Sequence, residues 1–245
     1  MGAHIHSIKG GQNMIAHTVT SYDEELKSLD SKILRMGGLA EHQLAAALGA
    51  IARADPEQAK QAVASDAAID VMQREIEDFA VHVIARRQPV AVDLRSLVGA
   101  MRIAGDLERI GDMSKNIGKR IASFDEKAWL SPMTKSLGIM GDMALMQLKS
   151  VLDAYSQRDA ALALKVWTHD EDIDRQYNSL FRELLTYMME DPRTIAYAAH
   201  LLFCAKNIER IGDHCTNIAE AVNYMVSGQS IVDGRPKHEA LPEDA

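Results

Sequence analysis

Two stretches decide the fold: DLERIGDMSKNIG at residues 106–118 and NIERIGDHCTNIA at residues 207–219. Both contain Glu-Arg-Ile-Gly-Asp and, after three intervening residues, Asn-Ile. Their apolar residues recur every three or four positions, so each stretch reads as helix. The likeness continues upstream. DAAIDVMQREIE at residues 66–77 aligns with DEDIDRQYNSLF at residues 170–181, sharing Asp, Ile and Asp at equal spacing. Self-similarity at this scale marks an internally duplicated chain.

Working outward, six long helical segments can be drawn, over residues 22–53, 56–87, 91–123, 132–156, 159–190 and 193–226. The first carries Leu26, Leu29, Ile33, Met36 and Ala40 on one face, a helical period. Asp55-Pro56 and Ser131-Pro132 read as an N-cap followed by proline at the first helical position. Asp159 reads as another N-cap, and Gln88-Pro89 and Asp191-Pro192 as breaks at matching places in the two halves. The expected class is all-α: six helices as two pseudo-symmetric three-helix bundles. Residues 21–124 form the first repeat and 131–226 the second, between a disordered leader (1–20) and a disordered tail (227–245). Composition agrees. Aromatics are only 5% while Met numbers 13, which suits packed helices better than sheet.

The formal net charge is −8 and the pI about 5.6, which argues against a nucleic-acid partner, since such proteins carry a basic face. Two cysteines, Cys204 and Cys215, lie on one helical segment too far apart to bond, and unpaired thiols suit a reducing compartment. No apolar run reaches the ~18 residues of a membrane span, and residues 1–13 lack the apolar stretch of a signal peptide. The expected location is cytoplasmic. His4 and His6 in the leader are a weak metal signal.

Residues four apart on a helix share a face. Glu108, Asp112 and Asn116 therefore form one polar stripe, repeated by Glu209, Asp213 and Asn217. The preceding helix of each half adds Asp66 with Asp70, and Asp170 with Asp174. Like charges at this spacing repel by a few tenths of a kcal/mol, and a bound cation reverses that sign. Oxygen-only donors fit Mg²⁺, Ca²⁺, Mn²⁺ or iron. Against a metal, Arg109 and Arg210 each lie three residues before an Asp and can form local ion pairs instead. Gly111 and Gly212, costly inside a helix, imply close helix approach or room beside a metal. His214 and Cys215 face Met113 and Ser114 in the other copy, so they read as ordinary helix residues. Met140, Met143 and Met146 read as core or interface. No phosphate-binding loop, nucleophile elbow or Glu-x-x-His occurs, and the last absence argues against a di-iron oxidase of the ferritin type.

At these residues the sequence resembles the PhoU family, the accessory regulators of phosphate-specific transport. The resemblance rests on the paired ERIGD…NI segments, the upstream Asp-x-x-x-Asp pairs and RRQPVAVDLR at residues 86–95. Asp93 and Arg95 of that last segment have no counterpart in DPRTIAYAAH at residues 191–200. The resemblance implies two three-helix bundles and multinuclear clusters of iron or zinc, with magnesium, manganese and calcium ranked behind. By position the ligands are Asp66, Asp70, Glu108 and Asp112, then Asp170, Asp174, Glu209 and Asp213, with Asn116 and Asn217 adjacent. It further implies a cytoplasmic homodimer that restrains phosphate uptake and the phosphate-starvation response. Its partners are the transporter's ATPase subunit and a sensor histidine kinase, so it touches membranes only through those complexes.

The reading is of a non-enzyme acting by protein contacts. The alternatives are a metal-dependent phosphohydrolase, built on the same carboxylates, and a metal-free helical scaffold with solvated acidic stripes.

Overall fold

The structure, a computed structural model, describes residues 10–53, 55–123 and 133–231. Among them are eight α-helices and no strand: α1 (Gly10–Arg53), α2 (Pro56–Ala64), α3 (Asp66–Arg87), α4 (Ala91–Ala122), α5 (Met133–Gln157), α6 (Ala160–Thr168), α7 (Asp170–Glu190) and α8 (Ile195–Ser227). A 3-10 turn, Pro192–Thr194, leads into α8. The expected Ser131-Pro132 cap, the two leader histidines and the last residues of the tail lie outside the described residues.

The six expected rods are present, but the second and fifth are each interrupted. The breaks fall at Ser65, between α2 and α3, and at His169, between α6 and α7. At both, a side chain bonds back to a carbonyl of the turn before it: Ser65 Oγ donates to Ala62 O at 3.0 Å, and His169 Nδ1 lies 2.7 Å from Lys165 O. Such local bonds compete with the helical ladder, and hydrophobic periodicity carries no trace of them. The other correction is at the N-terminus. The backbone is helical from Gly10, through residues 10–20 that read as leader, because extending a helix already fixed by packing costs little per residue.

The caps follow the sequence. Asp55 accepts from the N–H groups of Glu57 and Gln58, and Asp159 from those of Ala161 and Leu162. Asp191 caps the 3-10 turn through Arg193 N–H. The helix before Pro89 ends at Arg87, with Gln88 left-handed at φ 49°.

In each half the long last helix, α4 or α8, packs on all the other helices of that half. The halves join through α4 against α8 and α1 against α5. Both joints repeat under the duplication. On α1, Gly37 receives Leu152, whose Cδ2 lies 2.5 Å from where a Cβ would stand; on α5, Gly141 receives Leu48 in the same way. Gly37 and Leu48 correspond to Gly141 and Leu152, so one knob-and-notch contact is made twice around a local two-fold axis. The core is aliphatic: Leu29, Ile33, Leu107, Ile110, Ile208 and Ile211 are among its buried side chains. Tyr155 is the largest fully buried side chain among the described residues, its hydroxyl donating to Asp30 Oδ1 at 2.6 Å across the α1–α5 joint.

Candidate functional site: two unequal carboxylate clusters

The break at Ser65 places Asp66 in the first turn of α3, and the break at His169 places Asp170 in the first turn of α7. Acids there are favoured by the helix dipole. One turn on, Asp70 and Asp174 share their faces. The ERIGD segments of α4 and α8 then bring Glu108 with Asp112, and Glu209 with Asp213, alongside. Burial and the neighbouring Asp112 and Asp70 raise the Glu108 pKa. Burial and the charges of Asp170, Glu209 and Asp213 push Asp174 up to about 6. All four expected carboxylates of the second half, and Asp70, Glu108 and Asp112 of the first, therefore stand close enough to feel one another.

The two clusters are compensated differently. In the first, Lys115 Nζ lies 2.5 Å from both Asp66 Oδ2 and Asp112 Oδ1. Burial alone would lower the Lys115 pKa, but its hydrogen bonds to Asp112 and Asp66 outweigh this and raise it. Arg109 adds ion pairs to Glu108 and Asp112 at 3.4 and 3.6 Å, the local pairing its spacing suggested. In the second cluster the residue matching Lys115 is Thr216, buried, its hydroxyl donating to Gly212 O. The cation there is Lys206, 2.7 Å from Glu209 Oε2. The Glu209 pKa is still raised, because burial outweighs Lys206.

Two glutamines support the clusters. Gln43 Nε2 donates to Ala62 O at 2.9 Å and reaches Asp66 Oδ1 at 3.4 Å. Gln147 Nε2 reaches Asp170 Oδ1 at 3.4 Å. Each glutamine lies 23 residues before its Asp. The glycines of ERIGD make room for them: a Cβ on Gly111 would stand 3.1 Å from Gln43 Oε1, and one on Gly212 3.2 Å from Gln147 Oε1. Close packing therefore explains both glycines. The sequence did hold a signal for the pair, since QLAAAL at residues 43–48 and QLKSVL at 147–152 match in register.

The asparagines of the stripe point to the α4–α8 joint. Asn217 Nδ2 donates to Asp106 Oδ1 at 3.1 Å, beside His214 Nδ1 at 2.8 Å. Asn116 lines a separate polar pocket with Lys119 and Arg120. Cys204 and Cys215 are buried and unpaired, with burial pushing the Cys204 thiol up to about 12. Met140 is core, while Met143 and Met146 line an apolar cleft of about 340 Å³.

Among the described residues, no three His, Cys, Asp or Glu side chains converge closely enough to hold a metal ion as they stand. The donor sets differ in how well they suit one. An ammonium already bridges the first. The second offers carboxylates raised in pKa by burial and mutual repulsion, the condition a cation relieves.

The PhoU domain matches this chain twice, over residues 33–121 and 137–222. The chain belongs to the PhoU family. It is 51% identical to a phosphate-specific transport system accessory protein PhoU homolog from Caulobacter vibrioides, over 94% of this chain and all of that one. A homolog of the same description from Rhizobium meliloti is 48% identical over 91% of this chain and 94% of its own length. The crystal structure of PhoU from Pseudomonas aeruginosa superposes with a TM-score of 0.82 at 39% identity, covering 85% of this chain and all of that one. That of the phosphate transport system regulatory protein PhoU from Streptococcus pneumoniae gives 0.79 at 30% identity, over 86% and 99%. The duplicated all-α fold read from the sequence is the fold of this family. No helix among the described residues is long and apolar enough to cross a membrane.

Proposed function

We propose that this chain is a non-enzymatic regulator of phosphate uptake and of the phosphate-starvation response. It acts in the cytoplasm, as a homodimer, through contacts with the phosphate transporter's ATPase subunit and a sensor histidine kinase. The observation that carries this reading is full-length similarity to proteins described as accessory to phosphate-specific transport. The test is genetic and biochemical. Deleting the gene should raise phosphatase expression in high phosphate, and the tagged protein should retain the ATPase subunit and the kinase. Unchanged expression together with no retention overturns the reading, and light scattering tests the dimer.

The carboxylate clusters are proposed as cation sites, for iron or zinc ahead of magnesium, manganese or calcium. Asp170, Asp174, Glu209 and Asp213 would hold the ion in the second half, after side-chain rotation and release of Lys206. A bound cation would supply positive charge that cancels their repulsion and ties α7 to α8. Asp66, Asp70, Glu108 and Asp112 would bind more weakly, because Lys115 bridges two of them, Asp66 and Asp112, whereas Lys206 pairs with Glu209. Elemental analysis of protein purified without chelator tests this: metal lost in Asp213→Asn but kept in Asp112→Asn is the expected pattern.

A metal-dependent phosphohydrolase is the second reading. It draws on Asp174, whose pKa of about 6 lies near the range useful for proton transfer at neutral pH. Absence of phosphatase turnover with Mn²⁺, Fe²⁺ or Zn²⁺ supplied excludes it.

A further inference from the structure

The α4–α8 joint has a pocket at each end, and the duplication relates the two. One, of about 400 Å³, is lined by Asn116, Lys119, Arg120, Ser123 and Asn207. The other is lined by residues including Arg102, Asp106, Asn217, Glu220 and Tyr224. Asn116 corresponds to Asn217, Lys119 to Glu220, and Asn207 to Asp106. The same place in the repeated fold is thus basic at one end and carries two acids at the other. Shared ancestry of the halves would have made them alike, so the charge difference belongs to the pockets themselves.

The basic pocket has further features. Lys119 and Arg120 make no ion pair with a carboxylate among the described residues, in a chain of net charge −8. Arg120 is also held in place. Its guanidinium stacks on Phe203, 4.0 Å from the ring centroid, and its Nη1 lies 3.3 Å from His200 Nδ1. Burial and Arg120 together lower the His200 pKa, which keeps that nitrogen an acceptor for the arginine. Cations in the last turn of α4 also complement the helix dipole, but that effect needs no fixed rotamer. A guanidinium fixed by stacking and one hydrogen bond keeps other N–H donors free for a planar or tetrahedral oxyanion. Asn116 adds a carboxamide beside it.

We propose that the pocket formed by Asn116, Lys119, Arg120, Ser123 and Asn207 binds a phosphate group, either as inorganic phosphate or as a phosphomonoester. The double cation favours a dianion over a carboxylate, and the pocket has room for an ester substituent as well as for the free ion. Binding there would bridge α4 and α8, the helices that join the halves.

The test is calorimetric titration of the full chain with inorganic phosphate and, separately, with O-phosphoserine. Saturable binding of either probe at millimolar concentration or below is expected, and which probe binds identifies the source. Affinity should fall at least about tenfold in Lys119→Gln and in Arg120→Gln, the size expected for losing one charge-assisted hydrogen bond. Glu220→Gln, in the related pocket, should leave it unchanged. Lys119 is exposed, so its variant keeps the test open even where Arg120→Gln disturbs packing on Phe203. Failure of both probes to bind overturns the proposal, as does binding that both basic-pocket variants retain. Neither result bears on the regulatory reading, which is tested by expression and partner retention.

Discussion

Lys115 Nζ lies 2.5 Å from Asp66 Oδ2, an ammonium held against a nearly buried carboxylate. Its counterpart in the other half is Thr216, whose hydroxyl turns back to Gly212 O. This exchange leaves two clusters of identical acid composition with their cations placed differently. The first holds an ammonium between Asp66 and Asp112, whereas in the second Lys206 pairs with Glu209.

Replacing that ammonium should expose the difference. Lys115→Met leaves Asp66 without its ammonium and Asp112 with Arg109 as its cation, and should cost about 1–3 kcal/mol at neutral pH. The sign follows from linkage. The folded pKa of Lys115 is raised, so its contribution is fully present below the ordinary lysine value and is lost only as pH rises through the folded value. Neutral pH is therefore where the loss shows in full. Denaturant unfolding at pH 7 measures it. The same variant should gain divalent-cation affinity in the first half, and a thermal shift by Zn²⁺ or Mn²⁺ no larger than in the parent protein would contradict this.

Asp174 should act in the opposite direction. Its pKa of about 6 stands above the ordinary 3.8, so the folded protein binds more protons than the unfolded chain between those values. Stability attributable to Asp174 should rise as pH falls from 7 through 6 and level off near 4. Asp174→Asn should abolish that rise and stabilise the protein at pH 7 by about 1 kcal/mol, allowing for solvent screening, or roughly 2–4 °C in melting temperature. Melting curves of parent and variant between pH 4 and pH 8 check both parts.

The glycines sort by what surrounds them. A Cβ at Gly105 would meet nothing within 4 Å, whereas one at Gly118 would stand 2.9 Å from the Ala59 carbonyl oxygen. Gly105→Ala should therefore stabilise by up to about 1 kcal/mol through helix propensity. Gly118→Ala forces α2 away from α4 and should destabilise by about 1–3 kcal/mol. Equal midpoints for the two variants in urea would refute the packing account.

Tyr155→Phe tests the α1–α5 joint. It removes a 2.6 Å hydrogen bond to Asp30 while Arg158 still pairs with that carboxylate at 2.8 Å. The expected cost is about 1–2 kcal/mol with the fold retained. Circular dichroism with chemical denaturation measures it, and a variant as stable as the parent would show that the phenol contributes only its ring.

What the sequence determined by itself is what local chemistry encodes. Its 3.6-residue period required helices, Asp55 and Asp159 fixed two helix starts, and the matched ERIGD segments required a duplicated chain. The i,i+4 spacing of Asp66 with Asp70 and Glu108 with Asp112 already placed each pair on one face, because helix geometry alone sets that relation. The tertiary structure decided what meets those faces. Lys115 reaches Asp66 across a separation of 49 residues, and Gln43 and Gln147 fill the space left by Gly111 and Gly212. Whether Lys119 and Arg120 face a carboxylate or an open pocket depends likewise on how α4 crosses α8. Periodicity tells which way a side chain leaves its own helix. What lies opposite is set by the packing of another helix, and only the folded chain brings the two together.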